Sequence, residues 1–302
     1  MWPTLFRRVR DVQYTRERLE LPDGDFLDLD WSRVGSNRVV LVAHGLEGSS
    51  QAVYVRGLVR ALNRRKWDAL AWNLRGCSGE PNRLPRSYHS GASEDLAAVV
   101  QRVVGLGYRL IAVVGFSLGG NLTLKFLGEG RPEACCVAVG VGISVPCDLH
   151  GAAERLSRPE CAFYLRRFLR TMVPRMSEKR RRFGTGFPAV SSDAIRTFRD
   201  FDDQFTAPLH GFRDAADYWR QCSSLGFLGG IQVPTLILSA GDDPFLSPGC
   251  FPRDAAKSNG RLTVEVPMRG GHVGFVGGSP VSSEYWSEGR IAKFLEDSLG
   301  ES

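Results

Sequence analysis

The sequence has no run of about 18 uncharged apolar residues, which argues against a membrane-spanning helix. Its first residues, Met-Trp-Pro-Thr-Leu-Phe-Arg-Arg, lack the apolar stretch of about 7–15 residues that marks a secretory signal, so cytoplasmic residence is the default expectation. No C-x-x-C pair occurs and the cysteines number seven, an odd count, which disfavours both a disulfide framework and a structural zinc site. Cys135 and Cys136 lie in an apolar run and read as small buried hydrophobes. There is no internal repeat and no low-complexity tract. The net charge of +6 comes with no nucleic-acid recognition motif, so no nucleic-acid partner is expected.

What is present is globular in character. A chain of 302 residues, 43% hydrophobic and 24% charged, can bury a large core as one domain with an insertion. Its basicity is local: from Arg155 to Arg182 there are ten Lys/Arg and two Glu, which leaves the other residues at about −2. A solvated helical face is the first reading of that segment, and a peripheral contact with an anionic membrane the second. Nothing in the sequence reads out an oligomeric state.

Along the chain, residues 17–31 show two apolar/polar alternations about Pro22-Asp-Gly24, the pattern of a hairpin with one wet face. Buried strands are expected at 38–43, 67–73, 110–114, 136–142, 233–239 and 262–266, with helices at 51–64, 93–104 and 118–127 and a closing helix at 284–299. Ser93 is read as the cap of its helix, with Glu94 and Asp95 suited to the positive end. This alternation predicts an α/β fold with a mostly parallel eight-stranded sheet covered on both faces. It breaks at Pro146; residues 148 to about 225 carry helical runs, notably Cys161–Val173, and no convincing strand. The division that follows is a core from 1–147 and 229–302, with a helical cap inserted at 148–228.

The chemistry begins at Gly115-Phe-Ser117-Leu-Gly119, a G-x-S-x-G at a strand-to-helix join. Glycines two residues either side of Ser117 permit a tight turn that lifts the hydroxyl clear of the sheet, at a helix N-terminus favourable to negative charge. A serine hydroxyl needs a base, and His272, in a Gly-flanked loop after the last strand, can reach the same sheet edge. His44 suits the shaping of an oxyanion loop, while His89, His150 and His210 have surface or cap roles. The base needs an orienting carboxylate. Asp242 and Asp243 both follow a strand end at spacings to His272 that do not separate them; Asp243, directly before Pro244, is the choice, and the other aspartate caps its loop. The N–H of Leu118 and the N–H of Leu46, in the His44-Gly-Leu46 loop, are the candidate oxyanion donors.

With these residues in place the chain resembles the α/β-hydrolase superfamily, and more narrowly its YheT-like branch. The stretches that carry the resemblance are Asp23–Trp31, His44-Gly-Leu-Glu-Gly-Ser49, Asn73-Leu-Arg-Gly-Cys77, Gly115–Asn121, Phe201-Asp-Asp203, Thr206–Phe212, Asp242–Phe245 and Gly270-Gly-His-Val-Gly-Phe275. That branch includes bacterial predicted hydrolases, yeast medium-chain fatty acid ethyl ester synthase/esterases and animal membrane-associated phospholipase relatives. The resemblance implies the α/β-hydrolase fold, no cofactor, and hydrolysis of small-molecule esters with short- to medium-chain acyl groups; no metal site is expected from the residues. In eukaryotic relatives an alcohol can replace water as acyl acceptor, so acyl transfer is one alternative; (phospho)lipase action at a membrane surface, recruited by the basic Arg155–Arg182 segment, is another.

Overall fold

Alternation in the first strands becomes a hairpin in the computed structural model, which describes residues 7–188, 194–276 and 285–300. Strand β1 (Thr15–Glu20) pairs antiparallel with β2 (Phe26–Ser32), Thr15 opposite Trp31, across a turn whose Gly24 has φ 84°. The expected wet face is confined to β1, because every residue of β2 is buried. Asp28 and Asp30 tolerate burial through two-point bonds from Arg18 and Arg16 on the neighbouring strand, at 2.8–3.1 Å.

Six further strands follow: β3 (Arg38–Ala43), β4 (Asp68–Trp72), β5 (Leu110–Phe116), β6 (Val139–Ile143), β7 (Thr235–Leu238) and β8 (Leu262–Glu265). They make one eight-stranded sheet in the order β1-β2-β4-β3-β5-β6-β7-β8, parallel from β4 to β8. The period of two along β3 sends Val39, Leu41 and Ala43 to one face and Val40 and Val42 to the other. On the first face lie α2 (Ser93–Gly105) and α3 (Leu118–Gly128). On the second lie α1 (Val53–Arg64) and α10 (Trp286–Leu299). Each fully buried Leu or Val here contributes about 1.5–3 kcal/mol, so both faces hold the sheet between its helices.

Two local expectations are corrected. Cys135 and Cys136 are exposed, because Pro132 starts a 3-10 turn through Cys136 and extension begins only at Val139, which pairs with Ala112. Ser93 is the first helical residue and not the cap; the N-cap is Ala92, in a turn already closed by the Ser93 N–H to Gly91 O bond of 2.8 Å. The Ser93 hydroxyl instead accepts from Arg131 Nε at 3.2 Å. The start of the closing helix at 284 lies outside the described residues; the helix runs from Trp286.

Between β6 and β7, no strand forms among the described residues. Helices α4 (Leu149–Leu156), α5 (Ala162–Phe183), α6 (Phe198–Phe201), α7 (Ala207–His210) and α8 (Ala215–Cys222) occupy the stretch, with a π turn at Asp202–Thr206 joining α6 to α7. They share a separate apolar cluster that includes Leu165, Met176, Phe201 and Trp219. Helix α5 runs ten residues past the expected end at Val173, straight through Pro174, whose ring costs one intrahelical bond without stopping the helix. A short helix α9 (Arg253–Ser258) follows β7. Because β3 to β8 are parallel, the loops after β3, β5, β7 and β8 all emerge at one edge of the sheet, the usual ligand side of such sheets.

Candidate active site

Ser117 stands between β5 and α3 with φ 51° and ψ −117°, a conformation side chains rarely adopt. The glycines around it are required by close approach: a Cβ at Gly115 would collide with the Gly119 carbonyl, and one at Gly119 with the carbonyls of Ala43 and His44. The turn is anchored by Ser117 N–H to Ile143 O at 2.8 Å. Its product is an oxygen aimed at the loop that follows β8.

His272 on that loop has Nε2 2.9 Å from Ser117 Oγ and Nδ1 2.8 Å from Asp243 Oδ2. The carboxylate can only accept, so Nδ1 carries the proton and Nε2 is left to accept from the serine hydroxyl. Asp243 has a fully buried side chain, and its Oδ1 accepts the Phe245 N–H at 3.0 Å, which fixes the carboxylate plane. Asp242 does something different. Its Oδ1 accepts the N–H groups of Gly270 and Gly271, both at 2.8 Å, and so holds the histidine loop by its backbone. That loop is strained: Val273 and Phe275 have φ of 53° and 41°. The Val273 N–H is tied to Ser144 Oγ at 3.1 Å, and Ser144 itself sits at φ 51° at the end of β6.

The loop after β3 packs directly on the serine, since a Cβ at Gly45 would lie 3.2 Å from Ser117 Cβ. His44 is completely buried, accepts the Leu74 N–H on Nε2 at 3.1 Å and donates from Nδ1 to Gly45 O at 2.8 Å. Burial pushes its pKa down to about 4, so it stays a neutral brace for this loop. Tyr54 Oη accepts the Gly45 N–H at 3.0 Å. Leu46 N–H enters no hydrogen bond among the described residues, and Leu118 N–H is one of the free donors of the α3 terminus. Leu46, Leu118, Ser117 and His272 line the same cavity.

That cavity, of about 140 Å³, is mainly apolar and is roofed by α5 and α6 through Phe168, Met172 and Phe198. Three polar groups in its wall escaped the sequence reading. Asp202 is buried in the π turn, accepting from Thr206 Oγ1 at 2.6 Å and Trp219 Nε1 at 2.8 Å, and burial raises its pKa to about 7. Phe201-Asp-Asp203 was visible as a stretch of the resemblance, but nothing in it named a role. The His89 and His210 rings are in tilted contact, with centres 4.4 Å apart, and burial lowers them to about 3 and about 2. His210 belongs to the helical segment as expected. His89 is buried and not at a surface, because Tyr218 and Phe212 pack edge-on against it. His150 is half-exposed beside Glu154, away from the serine. Among the described residues no group of three or more His, Cys, Asp or Glu is placed to hold a metal ion.

Comparison with known proteins agrees with this architecture. The profile of the family described as "alpha/beta hydrolase fold" matches residues 38–279. "Putative esterase YheT" of Escherichia coli (strain K12) is 37% identical over 304 residues, covering 98% of this chain and 88% of that protein. "Phospholipase ABHD3" of Mus musculus is 29% identical, covering 88% of this chain and 67% of its own length. Among solved structures, the Pyrococcus furiosus esterase Pf2001 superposes with a TM-score of 0.65 at 18% identity, over 96% of this chain and 92% of that one. The chain belongs to the α/β-hydrolase fold family and is YheT-like within it.

Proposed function

We propose that this protein hydrolyses carboxylic esters of short- to medium-chain acyl groups through an acyl-enzyme on Ser117. Ser117 Oγ attacks the ester carbonyl carbon while His272 Nε2 takes the hydroxyl proton. Asp243 orients the imidazole and stabilises its cation. The carbonyl oxygen, now an anion, is held by the N–H groups of Leu46 and Leu118. Collapse breaks the ester C–O bond, and the leaving alkoxide takes the proton from Nε2. Water then repeats the sequence on the acyl-enzyme and releases the acid. In this reading residues 148–228 are a cap whose apolar underside receives the acyl chain.

The observation that supports it most is the unbroken hydrogen-bond path Asp243–His272–Ser117 at the wall of a largely apolar cavity. The name "Putative esterase YheT" borne by a relative 37% identical points the same way. The test is a panel of p-nitrophenyl esters of increasing chain length on the wild type and Ser117→Ala. A loss of about 10⁴-fold or more in kcat is expected. Equal turnover in the two proteins would sink the mechanism.

A second reading, action at a lipid surface, draws on α5. Its cavity side carries Phe168 and Met172, while Phe163, Arg166, Arg167 and Arg170 are exposed on the outside, Phe163 at 59%. A relative named as a phospholipase lends it weight. No helix among the described residues is long and apolar enough to cross a membrane, so the contact would be peripheral. Salt-sensitive binding to anionic vesicles, absent for neutral ones, is the expected sign; equal binding to both removes this reading.

A further inference from the structure

Glu47 follows the oxyanion candidate Leu46 and is a non-glycine residue at φ 55°. Such backbone persists only where its surroundings over-determine it. Here they do so from three directions. The Glu47 N–H donates to Tyr88 Oη at 3.0 Å, and the same hydroxyl donates back to Glu47 Oε1 at 2.7 Å. Arg175 Nη1, reaching down from α5, closes on Glu47 Oε1 at 3.0 Å. Gly48 N–H to Gly45 O, at 3.0 Å, closes the turn beneath. The Glu47 side chain is only 10% exposed, so the pair is screened far less than a surface pair.

The location gives this arrangement its meaning. Glu47 and Arg175 line the apolar cavity beside Ser117, and they also line a second cavity behind the loop, formed with Gly48, Gly76 and Asn82. They are therefore the partition between the two. Arg175 also contacts Cys77 Sγ at 3.7 Å and occupies the turn directly after Pro174, where the α5 bond ladder is interrupted. Among the contacts described, this is a charged link between the helical segment and the loop that carries the Leu46 N–H.

We propose that Arg175 is a positioning residue: through Glu47 it holds the Leu46 N–H at the angle needed to receive the oxyanion, so that the seating of α5 sets the quality of the oxyanion site. In this role Arg175 acts through Glu47, whose left-handed backbone directly follows the Leu46 donor. Tyr88 supplies the second hold, and burial together with the nearby Cys77 and Glu47 keeps its hydroxyl protonated and able to donate. This inference rests on the serine mechanism proposed above.

The experiment compares Arg175→Met with wild type on a soluble p-nitrophenyl ester, with melting temperature read alongside. A donor displaced, and not removed, lowers kcat by about 10–100-fold, with KM within about threefold. Affinity for an alkyl trifluoromethyl ketone, whose adduct with Ser117 bears the oxyanion, falls in parallel with kcat. In a Glu47→Gly background the left-handed backbone is unstrained and the carboxylate is gone, so Arg175→Met has no further effect. Should Arg175→Met lose its fold, Arg175→Lys carries the same test with a smaller loss. Unchanged kcat in the folded variant overturns the inference. So does a rise in KM alone, which would make Arg175 a substrate contact, or an Arg175 effect that persists in Glu47→Gly. Failure of the underlying mechanism reads differently, as wild-type turnover in Ser117→Ala.

Discussion

Asp243→Asn isolates one proton. In the wild type, Asp243 Oδ1 is claimed by the Phe245 N–H at 3.0 Å and Oδ2 faces His272 Nδ1 at 2.8 Å. An asparagine must keep its carbonyl oxygen on the Phe245 donor, since an amide NH₂ there would meet another N–H. The NH₂ is then turned to His272 Nδ1, which has to accept and so gives up its proton to Nε2. An Nε2 that already bears hydrogen cannot take the proton of Ser117. The geometry survives and the tautomer is wrong. A loss of about 10⁴ in kcat is expected from this effect, or about 5.4 kcal/mol of transition-state stabilisation. Asp242→Asn is the control: its oxygen can still accept from Gly270 and Gly271, so less than about a tenfold loss is expected. Both variants are read as kcat/KM on p-nitrophenyl butyrate across pH, with circular dichroism to verify folding. Asp243→Asn within tenfold of wild type, or Asp242→Asn falling as far, would refute the assignment of the two aspartates.

Three further outcomes follow from the geometry. Met172→Trp fills the roof of the apolar cavity, so the chain-length optimum shortens, each excluded CH₂ costing ~0.8 kcal/mol or about fourfold in kcat/KM; an unmoved optimum in the ester panel would place the acyl chain elsewhere. Gly119→Ala drives a methyl against the Ala43 carbonyl at 2.7 Å, and urea titration is expected to register a stability loss of about 3 kcal/mol. Asp202, held up at about 7 by burial, keeps its proton in the folded chain after the unfolded chain has released it near 3.8. Its contribution is therefore complete below pH 3.8 and fades as pH rises to about 7, by about 2–4 kcal/mol. Asp202→Asn removes that slope, and chemical denaturation at pH 5 and pH 8 on both proteins reads it.

Much of this is legible in the residue pattern alone. Parallel strands announce themselves as short β-branched runs, and a residue placed just past a strand end is delivered to the common edge by topology alone. That is why Ser117, His272 and the Asp242–Asp243 pair can be placed at that edge from their neighbours, with Pro244 pointing to Asp243, and the structure brings Ser117, His272 and Asp243 within hydrogen-bond distance. What stayed hidden depends on partners remote in sequence. Asp28 and Asp30 look like a wet face until Arg16 and Arg18 arrive from across the hairpin. An apolar run does not mark where extension begins, so Cys135 and Cys136 read as buried from the sequence, whereas they lie in the turn before β6. His89 and His210 meet from segments 121 positions apart, which no local pattern can register. Backbone strain at Glu47, Ser144 and Val273 is equally silent, since each is an ordinary residue in an unusual conformation.

The interruption between β6 and β7 has a consequence for how such a protein can change. None of Ser117, Asp243, His272, Leu46 or Leu118 lies in the helical stretch, yet that stretch roofs the cavity beside the serine. With the acyl chain in that cavity, as proposed, drift in α5 or α6 would explore new acyl shapes without replacing any of the proposed reacting groups, and a lineage could diversify its diet without relearning its chemistry. Arg175 sets a limit to that freedom in the proposal above: a substitution there would reach the loop below through Glu47, so it is a place where novelty in the pocket and competence at the serine would be inherited together.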